Sequence, residues 1–151
     1  MPPGTFLVAT SDFGPIVLVR LLVGWAFVVE GVFKFLRPGE RGAGLFEGLG
    51  IPFPDLMART VGGTEVLCGL LVLLGVGVRV SVVPLMAILL AALLAVRLPL
   101  LGAEGLVGFL HASLLETVLL LACAFLLRAG AGPLSMDRKW WTEAREGKAT
   151  G

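Results

Sequence analysis

Residues 80–101 read VSVVPLMAILLAALLAVRLPLL, and Arg97 is the only charged side chain among them. At about 1.5 Å of rise per residue, such a helix reaches about 33 Å, enough to cross a hydrocarbon core of about 30 Å. A strand of this character would leave backbone groups unpaired in lipid. Pro84 lies close enough to the start of the stretch to bend a helix without ending it. Three further stretches share the pattern, at roughly 15–36, 56–76 and 106–127. Helices that are apolar on every side belong either inside a large soluble protein or in a membrane, and a chain of 151 residues has too little polar sequence to wrap four of them. The predicted fold is an all-α integral membrane protein, an antiparallel four-transmembrane-helix bundle with a longer first loop.

Composition agrees. Apolar residues make up 57% and charged residues 15% of the chain, against about a quarter charged in soluble domains. The mean hydropathy is +0.97. A net charge of +1 supplies no basic face, so no nucleic-acid partner is expected and the lipid bilayer is the partner implied. Met1-Pro2-Pro3 lacks the basic start of a secretory signal, so the first span is expected to be retained. The chain divides into an N-terminal segment (1–13), a transmembrane domain (14–128) and a tail (129–151).

Short turns around Gly75–Arg79 and Pro99–Gly105 make consecutive helices antiparallel neighbours. The first loop, Arg37–Asp55, is longer; its centre Leu45-Phe46-Glu47-Gly48-Leu49 is apolar enough to lie in the interface or tuck over the bundle, the other reading being a mobile surface loop. Arg79, Arg128, Arg138, Lys139, Arg145 and Lys148 outnumber Arg37 and Arg41 at the opposite end, which predicts cytoplasmic termini in a cell membrane. Trp140 and Trp141 beside them suit an interfacial anchor. Ala87, Ala91 and Ala95 on the third helix, and Gly62, Gly63 and Gly69 on the second, predict ridges on which neighbouring helices approach closely.

The residues that bear on function are the ionisable ones inside the spans. Charge at mid-membrane costs at least about 2.5 kcal/mol per residue on insertion scales, so such groups face the bundle and find partners. Glu30, Lys34, Glu65, Arg97, His111 and Glu116 all fall in the half of the bundle nearest the first loop. Glu30, Glu65, Arg97, His111 and Glu116 are the ligand or proton-handling candidates. Arg20 and Lys34 are structural ion-pair candidates. Glu30 and Lys34 are spaced to pair along one helix, and Arg20 lies within about 80° of Glu30 on the wheel. His111 is the one side chain whose ordinary pKa lies near neutrality, and Arg97 has a planar fork suited to an anionic oxygen. The opposing reading is a dry network of structural pairs, with Lys34 and Arg97 extended toward the headgroups.

Cys68 and Cys123 sit about 8–10 Å apart in height, too far for a disulfide, and behave as small apolar fillers. No CxxC pair, bis-histidine haem set, zinc set or nucleotide motif is present, so neither a metal nor a cofactor is indicated by a motif; a quinone remains compatible with the polar cluster.

Several segments occur in a familiar order. They are Arg20-Leu-Leu-Val-Gly24, Glu30-Gly31-Val-Phe-Lys34, Phe46-Glu47-Gly48-Leu49-Gly50-Ile51-Pro52 with Pro54, Gly63-Thr-Glu65-Val-Leu-Cys-Gly69 through Gly75 with Arg79, and Gly132-Pro-Leu-Ser-Met-Asp137. Together they resemble the DoxX family of small membrane proteins over roughly residues 15 to 138. Members often carry an uncharged residue or a histidine where this chain has Glu30. The resemblance implies a four-helix bundle and a link to redox metabolism. Some relatives are subunits of thiosulfate:quinone oxidoreductases, others resemble anchors for thiol and oxidative-stress complexes, and distant ones act in membrane-protein assembly or cargo export. It thus implies a membrane subunit of a redox-linked complex, catalytic only together with other subunits. An assembly subunit without a site of its own, a small transporter or proton-handling protein, and a homo-oligomer remain open.

Overall fold

A computed structural model describes residues 14–139, which are helical with no strand among them. The elements are α1 (Ile16–Leu36), a short α2 (Ala43–Gly48), α3 (Pro54–Leu74), α4 (Val78–Ala92), α5 (Leu100–Ala112) and α6 (Leu114–Ala129). Helix α4 runs on through a π-helical turn at Leu93–Arg97. Helices α1, α3 and α4 with its π turn are each long and apolar enough to cross a membrane, and α5 with α6, bent by 47° at their break, makes a fourth candidate when the pair is counted as one span. This is a multi-pass membrane protein. Residues 1–13 and the tail from Trp140 and Trp141 onward lie outside the described residues.

Local sequence sets the boundaries. Pro54 occupies the first turn of α3, where its missing N–H leaves no hydrogen bond unmade. The same helix stops at Gly75, whose φ of 72° is a left-handed conformation that a side chain would strain. The fourth span departs from the single helix expected over 106–127. Gly105 is non-helical at φ 71°, ψ −174°, and Ser113 interrupts the ladder, its Oγ donating back to the Phe109 carbonyl at 2.7 Å. Pro99 follows the π turn directly. Its ring displaces the carbonyl four residues back, and Leu98 N–H bonds to the Leu93 carbonyl, five back, at 2.8 Å.

Helices α1 and α3 touch backbone to backbone at two places. A Cβ on Gly24 would stand 2.8 Å from the Gly69 carbonyl oxygen, and one on Gly31 would stand 2.7 Å from that of Gly62. The glycines are seven apart on both helices, so both contacts fall on one seam. Gly63, expected to share this role, has nothing within 4 Å. The alanine ridge of α4 does not serve as a close helix contact either. Ala87, Ala91 and Ala95 are exposed, and the last two border a cavity.

Packing is tightest toward the end of the bundle that holds the 75–79 turn. Phe27, Val72, Val82, Leu85, Cys123 and Leu126 are fully buried there, with both cysteines free. The outer faces carry exposed Leu18, Leu22, Trp25, Leu67 and Leu94, as a lipid environment requires. The segment after α6 folds back to close this end. The Asp137 carboxylate, 1% exposed, accepts from Gly77 N–H at 2.7 Å and Val78 N–H at 3.1 Å, capping α4 from 59 residues away. Arg20 donates to the carbonyls of Ala131 at 2.9 Å and Leu134 at 3.1 Å. The expected tail from residue 129 is therefore, up to Asp137, part of the bundle.

The glycine seam sets a test. Gly31→Ala gains about 1 kcal/mol of helix propensity but incurs about 1–3 kcal/mol of overpacking against backbone that cannot yield. The variant should melt below wild type in detergent, while Gly63→Ala, with open space at its Cβ, should match or exceed it. Equal melting of the two variants would show that the seam tolerates separation.

Candidate functional site

The half of the bundle under the first loop is hollow. A cavity of about 450 Å³ opens there, within the range of small-molecule sites. Its floor is Phe27, Leu89 and Leu119, and one wall is the small face of α4 at Ala91, Ala92 and Ala95. Its roof is the first loop, which is folded. Gly44 N–H bonds to the Pro38 carbonyl at 2.9 Å and Ile51 N–H to that of Phe46 at 3.0 Å, and Leu45, Phe46 and Leu49 face the space. Of the two readings of that loop, the structure shows the tucked one. The apolar run 45–49 was the signal, since a solvated loop has no use for it.

Three ion pairs ring this space. Lys34 Nζ lies 2.6 Å from Glu65 Oε2, with the two side chains 13% and 5% exposed. Arg97 Nη2 lies 2.6 Å and its Nε 2.8 Å from Glu116 Oε1. Arg41, from the loop, reaches Glu30 with Nη1 at 3.0 and 2.7 Å from the two carboxylate oxygens. All six side chains line the cavity. Each pair joins different elements: α1 to α3, α4 to α6, and the loop to α1.

These partners differ from the local pairing expected. Lys34 does not pair with Glu30 one turn before it. The close approach of α1 and α3 brings Glu65 within its reach, and Glu30 is taken by Arg41. Arg41 counted in the sequence only as a loop charge, and nothing in the local pattern marked it. Arg20 lies at the opposite end of the bundle from Glu30, where its partners are carbonyls. His111 is exposed in the last turn of α5 and does not line the cavity, because the break at Ser113 separates the rotation of α5 from that of α6. Of the five ligand or proton-handling candidates, the structure gathers Glu30, Glu65, Arg97 and Glu116 and leaves out His111. Among the described residues no group of His, Cys, Asp and Glu is placed to hold a metal ion.

Lys34 and Glu65 are deep enough that removing one charge strands the other. Breaking a buried pair costs about 3–5 kcal/mol, whereas replacing both members is far milder. Glu65→Gln and Lys34→Met should each lower the detergent melting temperature, and the double variant should melt above the sum of the two losses. Strict additivity in this double-mutant cycle would mean that the two groups are not coupled.

Comparison with known proteins agrees with this architecture. The DoxX family model matches residues 16–98, which takes in the glycine seam, the roof and the Lys34–Glu65 pair. An uncharacterized membrane protein of Mycobacterium tuberculosis is 40% identical over 130 residues, covering 82% of this chain and 80% of the relative. No solved structure matches the chain. With a family match across more than half its length and a relative this similar, the chain belongs to the DoxX family.

Proposed function

We propose that this protein is the membrane subunit of a redox-linked complex, and that its cavity takes the head group of a small amphipathic redox carrier of the quinone type or a small sulfur species. One observation carries the reading: an apolar chamber of about 450 Å³ that meets three ion pairs at the loop end of the bundle. Apolar walls with a few convergent polar groups describe a site for a molecule with a greasy body and a polar end. Intramembrane charges mark ligand and proton paths more often than simple packing. Electron transfer would rest with a partner, since the described residues hold no motif for it.

The ion pairs also favour a second reading. Every charge on the cavity wall has a partner, as a purely structural network would have, and a protein so built could be an assembly subunit without a ligand. The small face of α4 separates the two. Ala92→Trp fills the chamber without touching a charge. If the cavity serves a ligand, lipid extracts of the purified wild-type protein should contain a quinone or other amphipath that extracts of Ala92→Trp lack, and added quinones or thiosulfate should raise the wild-type melt alone. Identical extracts and unshifted melts would favour the assembly reading.

The same proposal has an orientation. Arg79, Arg128, Arg138 and Lys139 gather at the end closed by Asp137, so that end and both termini are cytoplasmic and the cavity opens toward the outer leaflet. A cysteine placed at exposed Glu47 on the roof should react with an impermeant maleimide in intact cells. One placed at exposed Met136 should react only after lysis. The reverse pattern would invert the topology.

A further inference from the structure

Glu116 is held differently from the other acids of the cavity. Arg97 approaches it with two donors, yet both converge on one oxygen: Nε at 2.8 Å and Nη2 at 2.6 Å from Oε1. The usual fork-on-fork arrangement gives each carboxylate oxygen its own N–H. Here Oε2 is buried and has no hydrogen-bond partner among the described residues. In the ion pair with Arg97 the acid is an acceptor only. The lone acceptor therefore lacks a donor.

Among the described residues no donor on the cavity wall reaches it. Lys34 is committed to Glu65, and Arg41 to Glu30. The residues beside Glu116 on α6 that share the wall, Leu115 and Leu119, are apolar, as is the facing surface at Ala92 and Ala95. Arg97 stands at the end of the π turn, and its fork fixes Oε1. Glu116 itself lines the chamber, and rotation of its side-chain torsions, with the long Arg97 side chain following Oε1, brings Oε2 to the chamber surface.

We infer that the occupant of the cavity is an amphipath whose polar end donates a hydrogen bond, through a hydroxyl or an amine, to Oε2 of Glu116, and that Arg97 positions this acceptor. A head group bearing only acceptors, such as an ether or an ester, leaves Oε2 as it is and adds an unpaired oxygen of its own. Selectivity for a donor is large when a site is built around a buried acceptor, because the wrong ligand leaves that acceptor unpaired. The inference rests on the reading that the cavity is a ligand site, and its test separates the two.

The probes are 4-hexylphenol and 4-hexylanisole, which differ in the donor alone. Binding to the protein in lipid nanodiscs is measured by calorimetry, with protein-free nanodiscs subtracted. Wild type should bind the phenol at least tenfold more tightly than the anisole. Glu116→Gln keeps the shape, gives its carbonyl oxygen to Arg97 and turns its NH2 toward the chamber, so the preference should level or reverse. Ala92→Trp should bind neither. Equal affinity of wild type for the two compounds, with both lost in Ala92→Trp, overturns the inference and leaves the cavity reading standing. A phenol preference that survives Glu116→Gln overturns it as well, since the donor would then be read elsewhere. No binding of either compound to wild type removes both.

Discussion

The contact on which the rest depends is the backbone approach of α1 to α3. Two glycine pairs, Gly24 with Gly69 and Gly31 with Gly62, remove their own side chains from the seam and let backbone meet backbone there. In lipid there is little hydrophobic force between helices, so close packing and polar contacts have to hold them. A seam of glycines supplies the first and determines the second. With α1 and α3 this close, Lys34 meets Glu65 across the interface, and a lysine that could have extended to the headgroups turns inward. On the other side the alanines of α4 leave the chamber open.

Charge at this depth is tolerable only in pairs. Lys34, Glu65, Arg97 and Glu116 taken singly as charges would cost about 2.5–3.5 kcal/mol each at the bilayer centre, together comparable to the whole stability of a typical domain. The structure meets this with three pairs, each spanning two elements, so that the electrostatics also fix which helix neighbours which. One acceptor is left over among the described residues, Oε2 of Glu116, on a residue that lines the chamber.

Much of the fold was legible in the sequence. Runs of about twenty apolar residues have few physical outcomes, and the ordered segments from Arg20 to Asp137 carry the family resemblance across most of the chain. The gathering of Glu30, Glu65, Arg97 and Glu116 was legible too, since helix direction alone puts them at one end. What failed was everything that depends on rotation about a helix axis. Glu30 with Lys34 looked like a pair because periodicity sees one helix at a time, while Lys34 answers to α3. Small residues announce close approach without saying whose, so Ala91 and Ala95 were read as a packing ridge when they border a void. His111 was placed by assuming one continuous fourth helix, and neither Gly105 nor Ser113 is by itself a sufficient signal for a break. Asp137 and Arg41 act across long sequence separations, where pattern carries no information.

The two ends of the bundle are built from different bonds, and that difference assigns them different work. At the 75–79 end, Arg20 and Asp137 bind backbone groups: carbonyls of the returning segment and the free N–H groups at the start of α4. Backbone partners do not rotate away, and the participants are buried, so these bonds are strong and hard to exchange with water. At the loop end, the three ion pairs that join different elements around the chamber are between side chains. The one that fastens the roof, Arg41 to Glu30, is the most exposed of them, at 52% and 28%. Ion pairs exposed to that degree are worth about 0–1 kcal/mol and open readily, whereas the Lys34–Glu65 pair beneath is shielded. The roof is thus joined to a rigid base by its weakest link, placed directly over the chamber. A cavity closed only by buried bonds would be a defect sealed into the fold; this one is closed by an exposed pair and a six-residue helix.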